Sequence, residues 1–145
     1  GYAGKGILFL NNNFKKKEIS KLLHKNGHAM VQKFLPNVKK GDKRVFIING
    51  KVCGAIRRIP SKNSILSNIS QGGTAVKTTL NSKQNKISSI IAKDLLKNKI
   101  YFAGIDFVSN YLIGDINVTS PTGLPQYKEL TGINLGETFW DSLEN

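Results

Sequence analysis

Residues 41–60 read GDKRVFIINGKVCGAIRRIP and contain the pattern that decides the fold. Two apolar, β-branched runs, Arg44–Asn49 and Val52–Ile59, flank the tripeptide Asn49-Gly50-Lys51. An Asn-Gly pair between two such runs is the strongest short-range signal for a two-residue β-hairpin. The stretch therefore predicts two antiparallel strands, ended by Pro60.

The remaining periodic segments surround this hairpin. Tyr101–Val108 and Tyr111–Val118 predict a second apolar hairpin. Apolar residues at helical spacing predict helices over Phe14–Asn26 and Ser82–Lys97, and a short terminal helix over Leu135–Leu143. Helices mixed with hairpin-linked strands favour the α+β class.

Three other segments have weaker patterns. Residues 1–10 predict a glycine-rich turn that runs into a short strand, and His28–Leu35 predicts a strand that Pro36 ends. Pro60–Thr74 is rich in Ser, Asn and Gly and has no period. Loops of this length are usually functional or disordered.

Composition limits the functional classes. The chain has 145 residues, of which 39% are hydrophobic, enough for one domain with a core. It lacks an apolar run of membrane-spanning length and a signal peptide, so we expect a cytoplasmic protein with no membrane association. Its single Cys excludes an internal disulfide and, with two His, is too sparse for structural zinc.

Charge is divided unevenly along the chain. Lys and Arg outnumber Asp and Glu by 21 to 3 in residues 1–100, whereas acids outnumber bases by 6 to 1 after residue 100. The net charge of +13 indicates an anionic partner. A plain compositional bias toward Lys is the alternative for most of the surface lysines.

Three oxygen-bearing side chains fall in the most apolar part of the sequence. Asp106 lies in the motif GID, and Asp115 and Asn117 lie in the motif GDIN of the next strand. Residues i and i+2 of a strand share a face, and a partner strand can add the third residue. Two carboxylates and an amide oxygen suit Mg²⁺. The alternative is two turn residues and a satisfied strand carboxylate.

Two further motifs indicate phosphate binding. Pairing of the first hairpin can bring Arg44 near Arg58, and two guanidinium groups repel unless an anion, such as phosphate, lies between them. The alternative is two solvated edge residues. The opening GYAGKG resembles a glycine loop whose backbone N–H groups bind phosphate, although many turns share this pattern.

The motifs GDKRVFIINGKVCGAIRRIP, NISQGG, GIDFV, GDINVTSPTG and ELTGINL occur in an order that resembles the C-terminal half of prokaryotic-type glutathione synthetases, members of the ATP-grasp superfamily. The resemblance implies an α+β ATP-grasp fold, C-terminal portion, with an antiparallel sheet and flanking helices. It implies that residues 1–145 form a partial ATP-grasp domain, without the N-terminal substrate domain and the start of the ATP-grasp domain.

The same resemblance implies a ligase that phosphorylates γ-glutamylcysteine with ATP. Glycine then attacks the acylphosphate, which gives glutathione, ADP and phosphate. Mg²⁺ or Mn²⁺ is the implied cofactor, ATP a co-substrate, and the full-length protein a homo-oligomer that binds no nucleic acid. A fragment of this length is expected to be inactive alone.

Residue roles also follow from the resemblance. The matching positions are Asp106, Asp115 and Asn117 for the metal; Arg44 and Arg58 near the phosphates; Gln32, Lys33, Phe34 and Leu35 at adenine; Asp42 beside the ribose; Gly1, Gly4 and Gly6 in the phosphate loop; and Asn68, Gly72 and Gly73 in the loop Pro60–Gly73 that covers the substrates.

The sequence departs from the family pattern at three single positions and in the hairpin before position 115, which is one residue longer. Position 115 is Asp where the family usually has Glu, and Leu66 and Thr74 replace Arg of well-known members. Another ATP-grasp amino-acid or peptide ligase is the nearest alternative. A basic nucleic-acid-binding module is less favoured, because the chain has only three Arg and no aromatic residues interleaved with its basic ones.

Overall fold

A computed structural model describes residues 8–11, 13–61, 72–110 and 113–144. Two compact units divide the chain after residue 35. In the first unit, helix α1 spans Lys16–Asn26, close to its predicted bounds. It ends at Gly27, whose φ of 73° suits glycine and whose N–H donates to the Leu23 carbonyl.

The strands predicted in this unit are wrong for the residues described. His28–Leu35 and residues 8–10 have no regular secondary structure, and residues 1–7 lie outside the described part. Met30 and Val31 remain more than 80% exposed. A strand is stable only when its backbone pairs with a neighbour, and the described part of this unit pairs no strand with residues 28–35.

The second unit is built on one antiparallel sheet. Its strands are β1 Asp42–Ile48, β2 Lys51–Ile59, β3 Thr74–Lys77, β4 Phe102–Phe107 and β5 Ile113–Asn117. They lie in the order β3-β2-β1-β4-β5, and every neighbouring pair is antiparallel. The helices are α2 Ser82–Lys97, α3 Leu124–Thr131 and α4 Leu135–Glu144.

Both predicted hairpins are confirmed. Asn49 and Gly50 have φ values of 44° and 72°, the left-handed pair that a type I′ turn requires. The second hairpin joins β4 to β5. Helix α2 has its predicted bounds, and the Asn81 side chain caps it by accepting the Gln84 N–H.

Two apolar layers follow from alternation along the strands. On one face, Val45, Ile47 and Ile105 pack with Ala92 and its neighbours on α2. On the other face, a second buried cluster joins the sheet to α3 and α4; it consists of Phe46, Ile48, Ile56, Tyr127 and Leu135. The α+β class is confirmed, with helices on both faces of the sheet.

The sequence patterns missed three short elements: β3, α3 and a 3₁₀ segment over Pro36–Lys40. Helix α3 carries Pro125 in its first turn and ends at Gly132, a pattern that favours a helix. In the described ranges, helices are too short or too polar to cross a bilayer.

Candidate active site

A row of charged side chains crosses four strands of the sheet on the face that α3 and α4 partly cover. Asp42 pairs with Arg58 between β1 and β2, and Arg44 pairs with Asp106 between β1 and β4. Asp106 pairs in turn with Asp115 on β5. Strand parity thus places Asp106 and Asp115 on one face, as the sequence predicted.

Asp106 is the centre of this row. Its Oδ1 accepts from Nε of Arg44 at 2.6 Å, and its Oδ2 accepts from Nη2 of Arg44 and of Arg58, each at 2.7 Å. The anion predicted between the two arginines is therefore a carboxylate of the chain in this structure. Each arginine is only 3% exposed, which excludes the alternative of solvated edge residues.

Asp42 completes the network from the other side. Its Oδ1 and Oδ2 accept from Nε and Nη2 of Arg58, both at 2.7 Å. Burial alone would lower the pKa of Arg58, but the hydrogen bonds that Arg58 donates to Asp42 and the charges of both aspartates outweigh it and raise that pKa. Arg58 is therefore a permanent cation held between two carboxylates.

Asp115 and Asn117 differ in how they are engaged. Asp115 is exposed on the short strand β5. The Asn117 Oδ1 accepts from the backbone N–H of Thr119 at 3.1 Å and of Ser120 at 2.9 Å. Asn117 thus organises the turn after β5, as its alternative interpretation held. Its predicted contact with a metal stays a prediction.

A residue that the sequence analysis did not single out, Gly104, makes room for Arg44. A Cβ at Gly104 would lie 2.9 Å from Cδ of Arg44 and 3.1 Å from Cβ of Pro121. Arg44 Nη1 also donates to the Thr122 carbonyl at 3.2 Å. The turn organised by Asn117 is therefore followed by Pro121, which lies beside Gly104, and by Thr122, whose carbonyl accepts from Arg44. In the sequence, the glycine of the motif GID is the signal for this close approach of Arg44 to the backbone of Gly104.

The donor set of this row fits a hard divalent cation. In the described ranges, no three His, Cys, Asp or Glu side chains are grouped to hold a metal. Asp106, Asp115 and the Asn117 amide supply oxygen only, and a metal here would take its other ligands from water or substrate phosphates, as Mg²⁺ commonly does. Asp106 would share its oxygens with two guanidinium groups.

The other predicted site residues fall into three groups. Gln32, Lys33, Phe34 and Leu35 lie in the first unit. Gly72 and Gly73 precede β3, and Gly72 has a φ of 84°. Outside the described residues lie Gly1, Gly4, Gly6, Leu66 and Asn68.

A cavity of about 770 Å³ lies away from the charged row, along β2 between α2 and α3. Cys53, Thr79 and Tyr127 are among the residues that line it. The cavity is not lined by any of the six candidate residues Asp42, Arg44, Arg58, Asp106, Asp115 and Asn117. We place the candidate site at the row because the convergent charges are there.

Comparison with known proteins decides the family. The family model described as prokaryotic glutathione synthetase, ATP-grasp domain, matches residues 1–132. The chain belongs to the prokaryotic glutathione synthetase family. The ATP-grasp fold and the resemblance noted in the sequence are thereby confirmed.

Individual relatives agree with this family. The glutathione synthetase of Synechocystis sp. is 40% identical over 140 residues, which are 94% of this chain and 43% of the relative. That of Nostoc sp. is 40% identical over 92% of this chain and 42% of the relative. That of Rhodopseudomonas palustris is 37% identical over 79% and 36%. The chain spans less than half the length of these glutathione synthetases.

Proposed function

We propose that this chain supplies the ATP-binding part of a ligase that joins γ-glutamylcysteine and glycine to give glutathione, ADP and phosphate. Residues 1–145 form a partial ATP-grasp domain, and the remaining substrate contacts come from a further domain of the full-length protein. The observation that carries the proposal is the row of Arg44, Arg58, Asp106 and Asp115 on one face of an ATP-grasp sheet.

The residues suit an acylphosphate mechanism. The Cys carboxylate of the dipeptide attacks the γ-phosphorus of ATP, and the bond from that phosphorus to ADP breaks. Two anions must approach each other in this step, so fixed cations lower its barrier. Arg44 and Arg58 are such cations, because carboxylates hold them in place before any substrate binds. Glycine's amine then displaces phosphate from the acylphosphate.

Asp106, Asp115 and Asn117 would hold a divalent ion in this proposal, Mg²⁺ or Mn²⁺. The chemistry that the ion supplies when bound is neutralisation of phosphate charge. Asp115 is exposed and free to turn toward the ion. Asp106 accepts hydrogen bonds from both arginines and would also contact the ion, so it would connect the arginines to the metal. Gln32–Leu35 at adenine and Gly1, Gly4 and Gly6 at the phosphates remain part of the proposal.

Two rival functions are separable from this one. Another ATP-grasp peptide ligase would use the same row with a different acceptor; the names of the relatives favour glutathione synthesis. A nucleic-acid-binding module would use exposed lysines, such as those of α2, and its affinity would fall steeply with salt. Titrations against Mg²⁺–ATP and mixed-sequence DNA across a salt series distinguish these classes. For the full-length protein, we also propose a cytoplasmic location and a homo-oligomeric state.

The test is product formation by the full-length protein that carries this chain. With γ-glutamylcysteine, glycine, ATP and Mg²⁺, it is expected to release glutathione, ADP and phosphate in equal amounts. Replacing glycine by other amino acids identifies the rival peptide ligase. The 145-residue chain alone is expected to give no glutathione, and measurable turnover by it would contradict the assignment of a partial domain.

A further inference from the structure

Helix α2 carries basic side chains on the side that faces away from the sheet. Its inner side packs on the sheet through Ile87 and Ala92. On the outer side, Ile90 is 55% exposed, and both Lys86, four residues before it, and Lys93, three residues after it, are exposed. Residues three and four apart are neighbours on one face of a helix. The α2 stripe, defined as Lys86, Ile90 and Lys93, is therefore an apolar side chain between two cations.

Helix α4 carries acidic side chains in the corresponding pattern. Its inner side packs on the other apolar layer through Phe139, whereas Trp140 is 64% exposed. Glu137 precedes Trp140 by three residues, Glu144 follows it by four, and both are exposed. Oε1 of Glu137 accepts from Nδ2 of Asn134 at 2.7 Å, and a carboxylate can accept from a lysine as well. The α4 stripe is defined as Glu137, Trp140 and Glu144.

The two stripes match when the helices run antiparallel. In each stripe, seven residues separate the two charges, which is about 10 Å along a helix. The apolar residue is three positions from Lys93 in the α2 stripe and three positions from Glu137 in the α4 stripe. Antiparallel helices can therefore place Lys93 opposite Glu137 and Lys86 opposite Glu144 at once. The same register places Ile90 against Trp140, whereas parallel helices would offset the two by one residue.

One copy of the chain cannot join its own two stripes. Helix α2 covers one face of the sheet and helix α4 covers the other, so their outer sides face in opposite directions. A second copy can bring its α2 stripe to the α4 stripe of the first. An exposed Trp beside apolar and charged residues is typical of an interaction surface. The opposite charges and their common spacing favour a second copy as the partner.

We propose that the α4 stripe of one copy binds the α2 stripe of a second copy as an antiparallel helix pair. The two copies use different surfaces, so the interface is heterologous, and each copy keeps one stripe for a further neighbour. Assembly then continues until a ring closes. The interface rests on the proposed homo-oligomeric state, and it involves no residue of the charged row.

Charge reversal tests the pairing. Sedimentation velocity is measured for two double variants, one of each stripe: Glu137→Lys with Glu144→Lys, and Lys86→Glu with Lys93→Glu. Each variant alone would bring like charges together, so its association should be weaker than that of the parent chain by about tenfold or more. An equimolar mixture of the two should regain association, because each reversed stripe then meets its opposite. Glu129→Lys is the control, since it reverses an exposed charge on α3 outside both stripes and should associate like the parent chain.

Trp140 reports the contact directly, because it is the only Trp in the sequence. On dilution from about 1 mM, its fluorescence should shift to longer wavelength as the indole ring returns to water. The shift is expected for the parent chain and for the mixture, and not for either double variant alone. High salt should reduce association of the parent chain, because it screens exposed charges.

Three results would overturn the interface: a parent chain that stays monomeric up to about 1 mM, double variants that associate like the parent chain, or a mixture as weak as its components. If circular dichroism shows that a double variant does not fold, Gln replaces both charges of that stripe, and weaker association is still expected.

The same variants in the full-length protein separate the interface from the ligase. Glutathione formation with unchanged assembly in every variant would keep the proposed function and overturn the interface. Charge-dependent assembly without glutathione formation would reject the ligase and keep the interface.

Discussion

Replacing Asp106 by Asn removes the charge on which two buried arginines depend. Three N–H groups donate to this carboxylate at 2.6 to 2.7 Å. Among the contacts described, Arg44 would then keep the Thr122 carbonyl, and Arg58 would keep Asp42. Breaking one partner of a buried ion pair typically costs about 3–5 kcal/mol. Because Asn retains one acceptor oxygen, we expect a loss near the lower end, about 3 kcal/mol.

Urea unfolding followed by circular dichroism measures this loss. With a slope of about 1–3 kcal/mol per molar urea, the midpoint should fall by at least about 1 M. The control is Asp94→Asn, because Asp94 forms an exposed 3.4 Å pair with Lys97 and such pairs contribute roughly 0–1 kcal/mol. Adding Arg44→Met to Asp106→Asn should restore stability by removing the orphaned charge. A loss below about 1 kcal/mol for Asp106→Asn would refute this reasoning.

Three further outcomes are expected. Gly104→Ala should destabilise the chain by about 1–3 kcal/mol and weaken ATP binding, because its Cβ would lie 2.9 Å from Cδ of the buried Arg44 side chain. Urea unfolding and calorimetry measure these two effects. Unchanged values would contradict the close packing of Arg44 against Gly104. In the full-length protein, Asp115→Ala should abolish ligase turnover with the fold retained, whereas Asp115→Glu should be tolerated because Glu is the residue that the family resemblance implies at this position. Near-wild-type rates for Asp115→Ala would remove Asp115 from the metal site. Burial raises the pKa of the Cys53 thiol above its ordinary value of 9.0, so iodoacetamide should alkylate Cys53 at pH 8 more slowly in the folded chain than in the urea-unfolded chain. The stability that the protonated thiol contributes should be present below pH 9.0 and lost as the pH rises further. Equal alkylation rates in the two states would contradict this shift.

Local patterns predicted much of the sheet and part of the site. The Asn49-Gly50 turn needs only its own two left-handed residues, and helix α2 needs only its apolar spacing and cap. Asp106 and Asp115 could be placed on one face because strand parity has a period of two.

Long-range pairing decided what these patterns missed. Arg44 and Arg58 share Asp106 only because β1 lies between β2 and β4, which no local window reveals. Helix α3 is held by Tyr127, whose ring occupies the space that a Cβ at Gly54 would fill, 2.5 Å away. The strand expected at His28–Leu35 lacks a partner in the described part of its unit.

The most direct test of the charged row as the metal and nucleotide site is paramagnetic broadening by Mn²⁺ in the presence of ATP. The ¹⁵N-labelled chain is titrated with Mn²⁺ and saturating ATP, and amide signals are followed by NMR. The strongest broadening is predicted at residues 104–106 and 115–117, with Asp115→Ala reducing it and Asp94→Ala leaving it unchanged. Broadening centred on the exposed lysines of α2, with residues 104–106 and 115–117 unaffected, would contradict the site.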